Sequence, residues 1–280
     1  MATPFARLLL ATEHSDFDTG AEALALALAR HSALPLAAVL PVLGNPEFEM
    51  VAPQLAAKAD REASVKREHL LALAQAAGVQ LNLRVRHGPE PCEEIVQEAR
   101  TQRADLVIIR RRGRRGLLAN LLVGEMVSKV VAQAPCSVLI APRGAQMWTR
   151  RVLVGVDPLA VDAAMLGQAA DVAADCGVPL RLLCVAGDEA ARPQAALALA
   201  GALAQARAIC ASADGELRVG RVHQQLLAAA MEGAADLIVI GRHGRANLGR
   251  AWIGGVAQKV IGLAECPVLV HVHNPKASTA

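Results

Sequence analysis

Short continuous apolar runs alternate with longer Ala- and Leu-rich segments along the whole chain, and the alternation runs through twice. In the first round the apolar runs fall at Leu8 to Ala11, Leu36 to Val42, Leu81 to Val85, Leu106 to Ile109 and Ser137 to Ile140. In the second they fall at Val152 to Val156, Leu180 to Val185, Glu216 to Val219, Leu237 to Ile240 and Val268 to Val270. Unbroken apolar runs of this kind suit strands covered on both faces, and the intervals between them have helical period. The pattern predicts an α/β fold of two Rossmann-like, doubly wound domains, each a five-stranded parallel sheet flanked by helices. In such a sheet ligands bind outside the carboxyl ends of the strands where the winding reverses, which directs attention to the loops after the first and fourth strands.

The two rounds are copies of one sequence. Ala104-Asp-Leu-Val-Ile-Ile-Arg-Arg-Arg-Gly-Arg114 aligns with Ala235-Asp-Leu-Ile-Val-Ile-Gly-Arg-His-Gly-Arg245. Downstream, Gly124, Lys129-Val130, Cys136 and Val138-Leu139 match Gly254, Lys259-Val260, Cys266 and Val268-Leu269 after a one-residue gap. Upstream, Arg7 to Glu13 pairs with Arg151 to Asp157, an apolar run ending in an acid each time. Pro142 to Thr149 is punctuated by Pro and Gly and reads as the linker, so the domains are expected at 1–146 and 147–280.

Composition narrows the function classes. Apolar residues are 54% of the 280 and charged residues 20%, a balance that excludes disorder for most of the chain. Aromatic residues are 2% with no Tyr, which removes the stacking platform of single-strand nucleic-acid binders. A formal charge of +3 gives no global pull toward a polyanion. The six cysteines, at 92, 136, 176, 184, 210 and 266, contain no C-x-x-C pair and read as reduced core thiols. With no secretory leader and no membrane-length apolar run, the expectation is a cytoplasmic protein.

Copy two carries the better-formed anion loop. Gly241-Arg242-His243-Gly244 follows the fourth strand, and after nine residues Gly254-Gly255-Val256 opens a helix through Lys259. Gly241 permits close departure from the strand, Gly244 a turn, and Gly254-Gly255 exposed N–H groups at a helix N-terminus, which together suit a phosphate chain. A dinucleotide G-x-G-x-x-G and a P-loop G-x-x-x-x-G-K-[ST] are both absent. At the tip of the first strand, Asp157 suits a ribose hydroxyl, an adenine amine or a metal; the alternative is a helix cap ahead of Pro158.

The G-2x-G-9x-G loop, the acid ending strand one, and the Ala-Asp-Leu-Ile-Val-Ile and Cys-Pro-Val-Leu-Val strands resemble the universal stress protein family. The resemblance implies an adenine nucleotide alpha hydrolase-like fold, with the domains paired through their last strands about a pseudo-twofold axis as an intramolecular pseudo-dimer. It implies a stress-response protein whose second domain binds ATP, with Mg as its companion ion, without being a conventional enzyme. Gly155, Val156 and Asp157 would line the adenosine side, and Val185 would offer backbone contacts to adenine. Gly241, Arg242, His243, Gly244, Gly254, Gly255 and Val256 would surround ribose and phosphates. Gly255 stands where the family has Ser or Thr, so a hydroxyl contact is lost while the N–H remains. Two alternatives stand beside this reading: a nucleotide-independent scaffold for an unknown protein partner, and a slow ATPase with metal and water between Asp157 and His243. A further homodimer is compatible with each.

Copy one departs further. Arg110 replaces the first loop glycine, Glu125 the hydroxyl residue, Glu13 the strand-one Asp, and the spacing from Gly113 to Gly124 is one residue longer. A side chain at 110 and a carboxylate at 125 both oppose a phosphate, so copy one is not expected to bind ATP in the usual way. The five arginines of Arg110 to Arg115 are either a solvated loop or a site for a differently shaped anion or RNA. His271-Val-His273 has alternate spacing for a metal but no third ligand in sequence; His223 is a surface position; Trp252 either packs or stacks on adenine. Glu90 to Glu94 reads as a helix start, and the longer segment Pro41 to Arg67 as a lid, a partner surface, or a helix with a long entry loop.

Overall fold

The computed structural model describes residues 3–13, 20–44, 50, 53–111, 124–242 and 253–272. They form two compact units: Phe5 through the fourth strand together with Glu125–Gln146, and the chain from Met147 onward.

The first unit contains β1 (Leu8–Ala11), α1 (Ala21–His31), β2 (Leu36–Leu43), α2 (Pro53–Ala77), β3 (Leu81–Gly88), α3 (Pro91–Thr101), β4 (Leu106–Arg110), α4 (Glu125–Gln133) and β5 (Ser137–Ala141). Its strands lie in the order β3-β2-β1-β4-β5, all parallel. The second contains β6 (Val152–Val156), α5 (Ala163–Asp175), β7 (Leu180–Ala186), α6 (Arg192–Arg207), β8 (Asp214–Val219), α7 (Val222–Glu232), β9 (Leu237–Gly241), α8 (Gly255–Leu263) and β10 (Val268–His271). Its order is β8-β7-β6-β9-β10, again parallel. The winding therefore reverses between β1 and β4 in one sheet and between β6 and β9 in the other. The segment after β2 is a helix: α2 spans 25 residues against 16 for α6.

Five strands are buried almost end to end: β1, β5 and β10 carry no residue outside the core, and β4 and β9 only their last. The edge strands β3 and β8 carry charge instead. Arg86 of β3 pairs with Glu94 at 2.6 Å and Glu98 at 3.1 Å on α3; Arg181 of β7 forks onto Asp214 of β8 at 2.6 and 2.9 Å. Charges there deny the sheet edges to another chain. The Arg181 fork holds the Asp214 carboxyl below its ordinary range. A depressed carboxylate contributes stability above its unfolded pKa and loses it as pH falls through the folded one. Thermal midpoints of Asp214→Asn and wild type are thus expected to differ near neutrality and to converge in acid; a constant gap would contradict the pairing.

The repeated Ala-Asp-Leu has a physical role in both units. Asp105, just before β4, accepts the N–H groups of Ala6 and Arg7 at 2.8 and 3.0 Å. Asp236, just before β9, accepts those of Thr149, Arg150 and Arg151 at 2.7, 2.9 and 3.0 Å. Each carboxylate fixes the chain as it enters the first strand, so the end of the proposed linker is tied down, with Trp148 buried beside it. Hydrogen bonds to a charged acceptor contribute roughly 1.5–3 kcal/mol apiece. Asp236→Ala should cost about 3 kcal/mol in a denaturant titration; a loss under about 0.5 kcal/mol would show the clamp to be incidental.

All six cysteines are free, and burial pushes the Cys136 thiol up to about 12. Among the described residues no helix is long and apolar enough to cross a membrane.

Candidate functional site

In the second unit the strands at the switch point stop pairing early. β6 and β9 pair at Val152↔Leu237, Leu153↔Ile238 and Val154↔Val239, and no further, although both strands continue. Gly155 and Val156 on one side, and Ile240 and Gly241 on the other, thus end without pairing across the switch point, and the Leu226 and Ile240 side chains pack against Gly155. β7 outruns β6, its register with it ending at Val156↔Cys184, so the backbone of Val185 lies beyond the tip of β6. The Val185 side chain is buried and holds that edge in place.

Asp157 follows β6 directly. Its Oδ1 accepts the N–H of Leu159 at 2.9 Å, a local turn. The helix cap is Asp162, whose Oδ1 accepts from Ala164 and Met165, both at 3.0 Å. The capping alternative for Asp157 is therefore corrected: Pro158 does not start the helix, and the cap lies five residues further on.

The loop after β9 is fixed at its base by two backbone bonds. The Arg242 N–H donates to the His271 carbonyl at 3.1 Å, and the Gly254 N–H donates to the Arg242 carbonyl at 3.0 Å. Gly254 occupies the N-cap position of α8 with extended backbone, and Gly255 is the first helical residue. Gly254 is buried, whereas Gly255 and Val256 are exposed. Among the described residues a Cβ built on Gly255 meets nothing within 4 Å, so the position has room for a side chain. Arg242 is half-buried, which lowers its pKa through desolvation. His223, second residue of α7, is pushed down by burial first and then by the positive charges of Lys259 and Arg221. The helix end, Arg242 and Lys259 together give this region a positive field. His243, Gly244 and Trp252 lie outside the described residues.

The first unit closes the equivalent place. β1 and β4 pair one residue further, through Ala11↔Ile109, and then Arg110, last residue of β4, bonds the Glu13 carboxylate. Both side chains are largely buried. Next to them the Thr12 hydroxyl donates to Glu22 at 2.5 Å, and Lys66, reaching from α2, lies 2.7 Å from the same buried carboxylate. At the head of α4, Glu125 holds Lys129 at 3.0 Å, and Glu90 holds it at 3.3 Å. Among the described residues Arg110, Lys66 and Lys129 thus each have a carboxylate of their own chain. Arg110 leaves the arginine run and turns inward, which corrects the solvated-loop and anion-site alternatives at that residue; Arg112 to Arg115 lie outside the described residues.

The sequence profile of the Universal stress protein family matches residues 4–142 and, separately, residues 149–273. The chain belongs to the universal stress protein family, as a tandem member. One curated relative, a universal stress protein of Thermus aquaticus encoded in the QAH/OAS sulfhydrylase 3' region, is 36% identical over 142 residues, covering 49% of this chain and 98% of its own. Among solved structures, a universal stress protein from Archaeoglobus fulgidus DSM 4304 superimposes with a TM-score of 0.71 at 19% identity, covering 98% of each chain. A putative universal stress protein from Pseudomonas aeruginosa UCBPP-PA14 gives 0.68 at 18% identity, covering 95% of this chain and 93% of its own. These two likenesses establish the tandem fold.

Two residues of the second universal stress protein domain acquire roles that their sequence positions did not disclose. His271 extends β10 by one residue, is nearly buried, and its Nδ1 lies 2.8 Å from Oε1 of Gln168 on α5. Its carbonyl holds the base of the loop, so His271 positions Arg242 from behind; His273 lies outside the described residues. Gln168 is the second: it sits mid-helix with no pattern in sequence to mark it. The signal for the Glu13–Arg110 pair was present, since both positions depart together from their copy-two counterparts.

Proposed function

We propose that this tandem universal stress protein binds one adenine nucleotide, ATP with Mg as the first choice, in its second domain, and none in its first. The observation that carries the proposal is the contrast at the switch point: strands that stop pairing after Val154 beside an exposed helix N-terminus at Gly255, against the Arg110–Glu13 ion pair at the equivalent place in the first domain. In the second domain Asp157 and the Val185 backbone would face the nucleoside, and the N–H groups at the head of α8 with Arg242 would face the phosphates. The lost hydroxyl at Gly255 weakens the site without closing it. The output is regulatory: nucleotide and a protein partner alter each other's affinity by the same factor, acting in the cytoplasm.

Denaturing the purified chain and chromatographing the supernatant should release adenine nucleotide. Related universal stress proteins have been solved in complex with cAMP and with dAMP, so a titration sets those two ligands beside ATP. Gly244→Val is expected to weaken ATP by at least about tenfold, since the G-x-x-G spacing calls for a glycine there and a β-branched side chain opposes close backbone approach to a ligand; unchanged affinity would remove the loop assignment.

A further inference from the structure

The first domain has a second opening, away from its filled switch point, at the carboxyl ends of β2 and β3. On the face beneath α2 the alternating residues Leu40 and Val42 of β2 pair in register with Val85 and His87 of β3. Leu40, Val42, Leu83 and Val85 pack there against Ala59 and Ala63 of the helix. By strand alternation the row should end apolar, yet its last member is His87. On α2, Ala56, Asp60 and Ala63 recur at helical spacing on the same face, and the polar group stands between the two alanines. His87 Nε2 and Asp60 Oδ1 meet at 2.8 Å.

The helix is built from small side chains at this point, so it does not fill the space above the sheet. Among the described residues a cleft of about 450 Å³ remains, lined by Val42, Leu43, Pro53, Ala56 and Ala57 and, on its polar side, by Asp60 and His87, both partly exposed. Apolar side chains with two convergent polar groups line a space of this volume, which is large enough for a small molecule. Among the described residues Asp60 is the only permanently charged one in the lining, and no Lys or Arg contributes to it.

We propose that this cleft binds a small monocationic molecule with a compact apolar body, an amine or amidine, with its head on Asp60 and its body against Val42, Leu43 and Ala56. The charge pattern favours a cation, because among the described residues the one permanent charge lining the cleft is the Asp60 carboxylate, which meets His87 through Oδ1. The proposal is independent of the nucleotide reading: it concerns the other domain and different strands.

The test uses the full ¹⁵N-labelled chain titrated with benzamidinium, and in parallel with neutral benzamide and anionic benzoate. Benzamidinium should shift the amides of Val42, Leu43, Ala57, Asp60 and His87 saturably, with benzamide weaker and benzoate inactive. Asp60→Asn, a change at an exposed position that keeps the fold, should weaken benzamidinium about tenfold. Ala56→Phe should abolish binding by filling the space. Saturable shifts of equal strength with benzoate, no shifts at millimolar benzamidinium, or unchanged affinity in Asp60→Asn would each overturn the assignment. Gly244→Val should leave the titration unaltered, so this result and the nucleotide result can fail separately.

Discussion

Replacing Arg110 with alanine is expected to destabilise the first domain by about 3–5 kcal/mol, the range for breaking a buried ion pair by removing one partner. Glu13 would keep its charge at a nearly buried position and lose the guanidinium that bonds it. The cost arises from that stranded carboxylate rather than from the worth of the pair. Replacing both partners, as Glu13→Leu with Arg110→Met, should therefore recover most of the loss, since apolar groups of similar volume need no counter-charge. Both tryptophans lie in the second half of the chain, so fluorescence reports the wrong domain. Hydrogen exchange at Leu9, Leu10, Ile108 and Ile109 is the suitable readout. Equal protection in Arg110→Ala and wild type would show that the pair does not hold the crevice closed.

Gly255→Ser is expected to tighten adenine nucleotide binding by about tenfold or more, because a hydrogen bond to a charged phosphate contributes roughly 1.5–3 kcal/mol and 1.4 kcal/mol is a factor of ten. The structure gives the substitution room: no atom of the described residues lies within 4 Å of a Cβ at this position, and its φ is not in the left-handed region. The serine would sit at the first helical residue, where its hydroxyl would join the N–H groups at the head of α8. The corresponding change in the first domain, Glu125→Ser, should give no nucleotide binding, because Arg110 and Glu13 still occupy the crevice. Calorimetric titration separates the cases. A serine at 255 that left ATP affinity unaltered would place the phosphates elsewhere.

The fold was legible because the inner strands announce themselves: Leu8 to Ala11 and Leu237 to Ile240 are apolar runs with no competing period. Where strand ends were misjudged, main-chain pairing outweighed side-chain character. β3 runs on through Arg86 and His87 to Gly88 because β2 continues to Leu43 beside it, register partner for partner. β8 likewise begins at Asp214, paired with Arg181. Polar residues stop an apolar run in sequence, but an edge strand needs only one covered face.

Site chemistry was legible in part. The glycines at 241, 254 and 255 proclaim close backbone approach, and the helix N-terminus stands where they indicated. Long-range partners were not legible, because no local period reports that Asp236 clamps Thr149 across the sheet entrance or that Gln168 meets His271. Asp157 and Asp162 illustrate the same limit at short range. Both are acids near a helix start, and only the backbone path decides which one caps it.

The central claim is an unequal pair of domains, and binding stoichiometry tests it most directly. ATP with Mg titrated into the full chain at equilibrium should saturate at one nucleotide per chain, and Gly244→Val should remove that event while Arg110→Ala leaves it in place. Two equivalents bound, or a single equivalent that survives Gly244→Val, would contradict the account.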